Sequence, residues 1–245
     1  MKILFNFFGL LRFARNDRKG FTLAEVVIAV AIIGTLATLT IGTYMTGSPS
    51  QNNQYVAGLK KVYAELSYAT DQIKAKNGGT LAYLFASDLD AAGVVTQYCK
   101  YLKCSKTCAG GAAVSGGCFY PLTSLKQLNN TPSTWPDPDY SYYRTFVLAD
   151  GTFILVNFTN SACNDVEDGI PVCGYFEIDI NGFKGPNIKG RDYFSFIMTK
   201  DKIIPQGSIG NVLPNYNTYC NPTSSNSSNG TSCASRVLKE GKMLY

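Results

Sequence analysis

The chain has 245 residues, with 22 Lys and Arg, 17 Asp and Glu, and no histidine. Its formal charge of +5 is concentrated in residues 1–20, which carry a net +4, so residues 21–245 are nearly neutral. That balance argues against nucleic-acid binding by bulk charge, and the missing histidine removes the commonest general base and metal ligand.

Residues 1–20 form a leader: an apolar patch (Ile3–Phe5, Phe7–Leu11) and a basic end with Arg12, Arg15, Arg18 and Lys19. Gly20-Phe21-Thr22-Leu23-Ala24-Glu25 follows, and no charge occurs from Val26 to Tyr44. Nineteen helical residues span about 28 Å, close to the hydrocarbon thickness of a bilayer. The basic leader reads as the cytoplasmic side of such a segment. Glu25 is the exception in it. An ionisable group costs about 2–3 kcal/mol at mid-bilayer, which marks it for a role, unless it snorkels to the headgroups. Gly34 and Gly42 let neighbouring helices approach closely. A Sec signal is disfavoured, because its cleavage site should follow the apolar run and not precede it.

This stretch resembles the class III signal of type IV pilins and pseudopilins: a Gly, an aromatic or apolar residue, Thr-Leu, then Glu as fifth residue of the mature chain. The resemblance implies cleavage between Gly20 and Phe21 by a prepilin peptidase, and methylation of the new Phe21 amine. It also implies that Glu25 pairs with the amino terminus of a neighbouring subunit. A carboxylate in lipid needs a cation at its own depth, and that amine supplies one. The expected partners are other copies or related pilins, the peptidase/methyltransferase, the inner membrane and its assembly machinery. Nucleic acid would be a partner only in DNA uptake. The implied location is a single-pass bacterial inner-membrane precursor with a periplasmic head, then a periplasmic or extracellular filament.

Three segments are expected: leader 1–20, membrane and assembly helix 21–47, and a head over 48–245. Within the head, Gly47-Ser48-Pro49-Ser50 is a break. Tyr55, Leu59, Val62, Leu66, Ala69 and Ile73 then recur at helical spacing, predicting an amphipathic helix over 51–76 that ends at Asn77-Gly78-Gly79. Residues 77–142 read mainly as loop, with Leu81–Asp90 as a candidate short helix and a Pro/Asp-rich connector around Trp135. Over 143–204, β-rich runs at Tyr143–Ala149, Thr152–Phe158, Tyr175–Asn181 and Tyr193–Met198 predict an antiparallel sheet of about four strands. A two-residue Asp150-Gly151 hairpin turn joins the first two runs. Alternation in the third run puts Phe176, Ile178 and Ile180 on the core and Glu177, Asp179 and Asn181 outside. Residues 205–245 form a tail with a polar loop, Ser224–Ser232, and an apolar, strand-like ending after Cys233. The predicted fold class is α+β: a long helix, membrane half plus amphipathic half, packed on that sheet.

All eight cysteines lie beyond the apolar run, as expected of a disulfide-bonded head in an oxidising compartment. Cys163–Cys173 and Cys220–Cys233 are the expected short-loop bridges, with Cys99, Cys104, Cys108 and Cys118 paired among themselves. Zinc is disfavoured by their spacing. Asp179-Ile180-Asn181-Gly182 through Asp192-Tyr193-Phe194 resembles a segment recurring in pilin-like and pseudopilin-like sequences, as does the ending from Cys233 to Tyr245. Asp179, Asn181 and Asp192 are therefore a candidate calcium set, the alternative being that they order a turn through backbone hydrogen bonds. No other cofactor is expected.

No P-loop, dinucleotide glycine pattern or nucleophile elbow is present, so an enzyme is not expected. The resemblance implies a structural subunit of a type IV pilus or related filament. A type II secretion pseudopilin and a tip-located minor pilin acting as a binding or adhesion module remain open alternatives.

Overall fold

The computed structural model describes residues 49–167, 169–208 and 215–245. The leader, the apolar run with Glu25, and Asp168 lie outside the described residues. The structure is α+β, in three layers.

The first layer is α1 (Pro49–Ala75) with the shorter α2 (Ala91–Tyr98). Tyr55, Leu59, Val62, Leu66, Ala69 and Ile73 are all buried, so the periodic stripe is the packed face of α1. Gly58 lets the helix approach the sheet: a Cβ there would lie 3.1 Å from Ile180 Cδ1. Polar contacts tie the helix to both ends of the sheet. Lys61 pairs with Asp150 at one end, and Lys74 donates to the Asp201 carbonyl at the other. Gly78 and Gly79 take positive φ just after α1, and Gly79 N–H bonds the Lys74 carbonyl at 2.9 Å.

The second layer is a six-stranded antiparallel sheet in the order β1-β2-β3-β6-β7-β8. Its strands are β1 (Cys104–Cys108), β2 (Arg144–Leu148), β3 (Phe153–Phe158), β6 (Gly174–Asp179), β7 (Tyr193–Met198) and β8 (Ile203–Pro205). Between β3 and β6, β4 (Asp165–Glu167) and β5 (Ile170–Val172) make a separate two-stranded sheet. The four predicted runs are the centre of the large sheet; the edge strand β1 falls in the stretch read mainly as loop, and β8 straddles the predicted end of the sheet region at residue 204. The β2–β3 turn corrects the two-residue prediction. Leu148 N–H bonds Thr152 O at 2.9 Å, so the loop holds Ala149, Asp150 and Gly151. Ala149 N–H turns instead to the Lys103 carbonyl, and Gly151 takes φ 92°.

The third layer is irregular apart from a 3-10 turn at Leu122–Ser124, and it explains the largest misreading. Ala113, Phe119, Tyr120 and Leu125 cover the far face of the sheet, packing with Val147, Phe153, Leu155 and Tyr193. Every residue of β3 is therefore buried, as in a sheet covered on both sides. Glu177 and Asp179, expected to face solvent, are fully buried instead.

Three further expectations are corrected. Leu81–Leu89 forms turns, and the helix begins one residue past the predicted span, at Ala91. Asp90 caps it, accepting from Gly93 N–H at 2.8 Å. The stretch after Cys233 is not strand-like but the helix α4 (Cys233–Glu240), preceded by the single turn α3 (Tyr216–Tyr219). The helix buries Ala234 and Val237 and carries an i,i+4 pair, Arg236 with Glu240, on its outer side. The Ser224–Ser232 loop is not simply a solvated segment. Asn229 is fully buried and bonds the Asn221 and Ser224 carbonyls, while Gln127 and Asn129 bond the Ser227 and Ser224 carbonyls.

The disulfides are Cys99–Cys104, Cys108–Cys118, Cys163–Cys173 and Cys220–Cys233. Leu66 sits fully buried in the middle of the α1 stripe. Leu66→Ala is expected to cost roughly 2–5 kcal/mol through lost burial and the cavity left behind. A drop in midpoint on urea unfolding of the solubilised chain checks this. No change would mean that α1 is not packed as described.

Candidate functional site

Gly20, Phe21 and Glu25, the residues singled out for processing and assembly, lie outside the described residues. No helix among the described residues is long and apolar enough to cross a membrane.

The structure does bring Asp179, Asn181 and Asp192 together, where β6 ends and β7 begins. Asp179 Oδ1 accepts from the backbone N–H groups of Asn181 (3.1 Å) and Gly182 (2.7 Å), and Tyr120 donates to Oδ2 at 2.8 Å. Asp192 accepts from Ile188 N–H on Oδ1 at 2.7 Å and from Asn187 N–H on Oδ2 at 2.9 Å. Asn181 Nδ2 bonds the Gly185 carbonyl at 3.2 Å. Every carboxylate oxygen of the pair thus already holds a protein donor. Calcium requires six to eight oxygen ligands, and among the described residues no group of three acidic, Cys or His side chains is placed to hold a metal. Of the side-chain oxygens of these three residues, Asn181 Oδ1 alone is buried with no hydrogen-bond partner among the described residues. These residues clamp the Asn181–Asp192 connection through its amides.

Burial raises the pKa of both aspartates. Asp192 is pushed up to about 6, against the pull of its backbone donors. Asp179 is raised well above the carboxylate range by burial and by the neighbouring Asp192 charge. Each charge disfavours the other, so the two titrate as a pair and not independently.

A second buried polar group lies on the same sheet face. Thr145, Leu155, Glu177 and Ser195 form one row across β2, β3, β6 and β7. Ser195 Oγ donates to Glu177 Oε2 at 2.5 Å, whereas Glu177 Oε1, Thr145 Oγ1 and Tyr193 Oη are buried with no hydrogen-bond partner among the described residues. Lys189 is also buried, with Nζ 5.4 Å from the centre of the Trp135 ring, and burial lowers its pKa. Burial raises the Glu177 pKa to about 7, outweighing the opposing Lys189 charge and the Ser195 hydroxyl. Sequence alternation missed Glu177 because its cover comes from aperiodic residues far away in the chain.

This shift carries a pH prediction. An ordinary Glu ionises near 4.5, so the folded chain binds a proton more tightly than the unfolded chain does. The associated stability is present below about pH 4.5 and is lost as pH rises through about 7. Between pH 5 and pH 8 the loss should be roughly 2–3 kcal/mol. Glu177→Gln is expected to remove that part of the pH dependence and raise the melting temperature at pH 8. Thermal melts of the detergent-solubilised chain at both pH values test this. An unchanged pH slope in the variant would contradict the burial argument.

The cluster has the makings of a structural core, with no nucleophile–base pair open to a substrate. Comparison with known proteins places the functional signature elsewhere. Residues 15–41 match the prokaryotic N-terminal methylation motif, the signature of the prepilin-type signal of type IV pilins and pseudopilins. The match covers the basic end of the leader, Gly20, Phe21, Glu25 and most of the apolar run. No curated protein and no solved structure matches the chain.

Proposed function

We propose that the chain is a pilin-like structural subunit, made as a membrane-anchored precursor and assembled into a type IV pilus or related filament. The methylation motif over residues 15–41 carries this reading. The disulfide-bonded α+β head fits an oxidising compartment outside the cytoplasm. In this reading a prepilin peptidase cuts between Gly20 and Phe21, and the Phe21 amine is methylated. Glu25 then meets that amine on an adjacent copy within the apolar helix bundle. In this reading the buried carboxylates of the head belong to its packed interior and take no part in catalysis.

Fibres sheared from cells test the proposal. The chain is expected in the fibre fraction in its processed form. Confinement to the membrane fraction, with no assembled form under conditions where related fibres are made, would contradict it.

A further inference from the structure

The connection between β6 and β7 gives one end of the head an exposed apolar tip. Phe183 is 65 % exposed, and its ring meets the buried Phe153 edge-on at 4.7 Å. Lys184, Gly185 and Pro186 beside it are exposed as well. The tip is held in shape. Asp179 Oδ1 takes the Asn181 and Gly182 amides, and Lys184 N–H bonds the Asn181 carbonyl at 3.3 Å. A lone exposed phenylalanine is ordinary on a protein surface. What sets this one apart is where the chain places it.

Three contacts put this end beside the first turns of α1. Ile180 meets Gly58, and the charges of Asp192 and Arg191 both act on the Tyr55 hydroxyl. The last residues of the chain close the same end. A Cβ on Gly241 would lie 3.7 Å from Lys60 Nζ, and Tyr245 Oη donates to the Gly190 carbonyl at 2.6 Å. Leu244 there is 62 % exposed. Only residues 45–48 separate the charge-free run, which ends at Tyr44, from Pro49. Fully extended, that connection covers at most about 17 Å. Tyr55 comes about 9 Å further along α1, whereas Lys74, beside Asp201, comes about 37 Å further. Where the run spans a bilayer, the Phe183 end of the head is therefore the end tethered beside it. Lys184, Arg191 and Lys242 belong to this end, and none forms an ion pair among the described residues. Of the carboxylates around them, Asp150 is taken by Lys61 and Glu240 by Arg236, while Asp179 and Asp192 are buried. Even with a terminal carboxylate on Tyr245 counted, the three cations are in excess.

We infer that this end of the head docks on the surface of the bilayer that stores the chain. Phe183 enters the interfacial layer, with Leu244 on the same end, and Lys184, Arg191 and Lys242 lie on anionic lipid headgroups. Binding of this kind grows with buried apolar area and with attraction to anionic lipid. The tether makes the contact intramolecular, so a surface too weak to hold a free protein on a membrane suffices. The stored subunit is thereby held with one face of its head against the lipid, and that contact breaks when the subunit enters a filament. The inference rests on the membrane-anchored reading above and adds to it which face of the head meets the membrane.

Fluorescence quenching by brominated lipid provides the test. The full-length chain is reconstituted into vesicles of phosphatidylcholine and phosphatidylglycerol, with or without bromine on the upper part of the acyl chains. Trp135, the one tryptophan, is removed as Trp135→Phe, and a probe is added by Phe183→Trp or, at the opposite end of the sheet, by Tyr83→Trp. Tyr83 is 78 % exposed, and its N–H bonds Ser161 beyond the Phe158 end of β3. The Phe183→Trp probe is expected to lose about half its emission in brominated vesicles, and the Tyr83→Trp probe less than about a tenth. Adding Lys184→Glu and Lys242→Glu should reduce the quenching of the Phe183→Trp probe roughly twofold or more, since both charges then repel the anionic surface. Non-reducing electrophoresis checks that the disulfides are kept. An unquenched Phe183→Trp probe, equal quenching of the two probes, or quenching that ignores the charge reversal would overturn the inference. In a chain that stays with the vesicles through an alkaline carbonate wash, those results leave the anchored reading intact. A chain that the wash removes would overturn both.

Discussion

Glu25→Ala is expected to leave leader cleavage intact and to abolish entry of the chain into filaments. Two effects push the same way. An acidic side chain in a bilayer helix costs the stored monomer about 2–3 kcal/mol, and alanine removes that cost, so the monomer becomes more stable in the membrane. The amine of a neighbouring copy meanwhile loses its counter-charge at the same depth, and an unpaired ion in a low-dielectric bundle is strongly unfavourable. About 3 kcal/mol corresponds to roughly a hundredfold shift away from assembly. Glu25→Gln keeps the shape without the charge and should fail in the same way. Quantifying the chain in sheared fibres against the membrane pool reads the effect. Normal filaments from either variant would refute the pairing role of Glu25.

Gly20→Leu is expected to block maturation altogether. Glycine lets a peptidase backbone come close to the bond that follows it, and a branched side chain there obstructs that approach. The uncut precursor retains the leader with its net charge of +4, anchored on the cytoplasmic side. It also never acquires a free amine at Phe21, so Glu25 has no partner and filaments should be lost as well. On an immunoblot the mature band should vanish and a slower band should accumulate in membranes. A mature chain beginning elsewhere than Phe21 would show that the cleavage site is misplaced.

How much of this was legible in the sequence depended on whether the signal was local. The α1 stripe from Tyr55 to Ile73 was readable because helical spacing decides which side is buried, and those six side chains are indeed buried. The central strands were readable from runs such as Phe153–Phe158 and Tyr193–Met198. Glu177 and Asp179 were misjudged because alternation describes a sheet with one wet face. What covers the second face, around Phe119 and Tyr120, lies more than 50 positions upstream in a stretch without periodicity. The start of α2 was readable and missed: Asp90 caps it, and Ala91, Val94, Val95 and Tyr98 fall at helical spacing. At α4, the short run of Ala234, Val237 and Leu238 is too brief for periodicity to separate helix from strand; its cue was the Arg236–Glu240 spacing. Of the candidate calcium set, the proximity of Asp179 to Asp192 could be anticipated. That three of their four carboxylate oxygens accept from turn amides and the fourth from the Tyr120 hydroxyl could not, since it depends on the path of the chain around them.

The most direct test is the amino terminus of the chain in purified fibres, read by intact mass and peptide sequencing. A chain that lacks residues 1–20 and begins with N-methylated Phe21 is the predicted result. A functioning chain that still carries Met1 and its basic leader would contradict the account at its root.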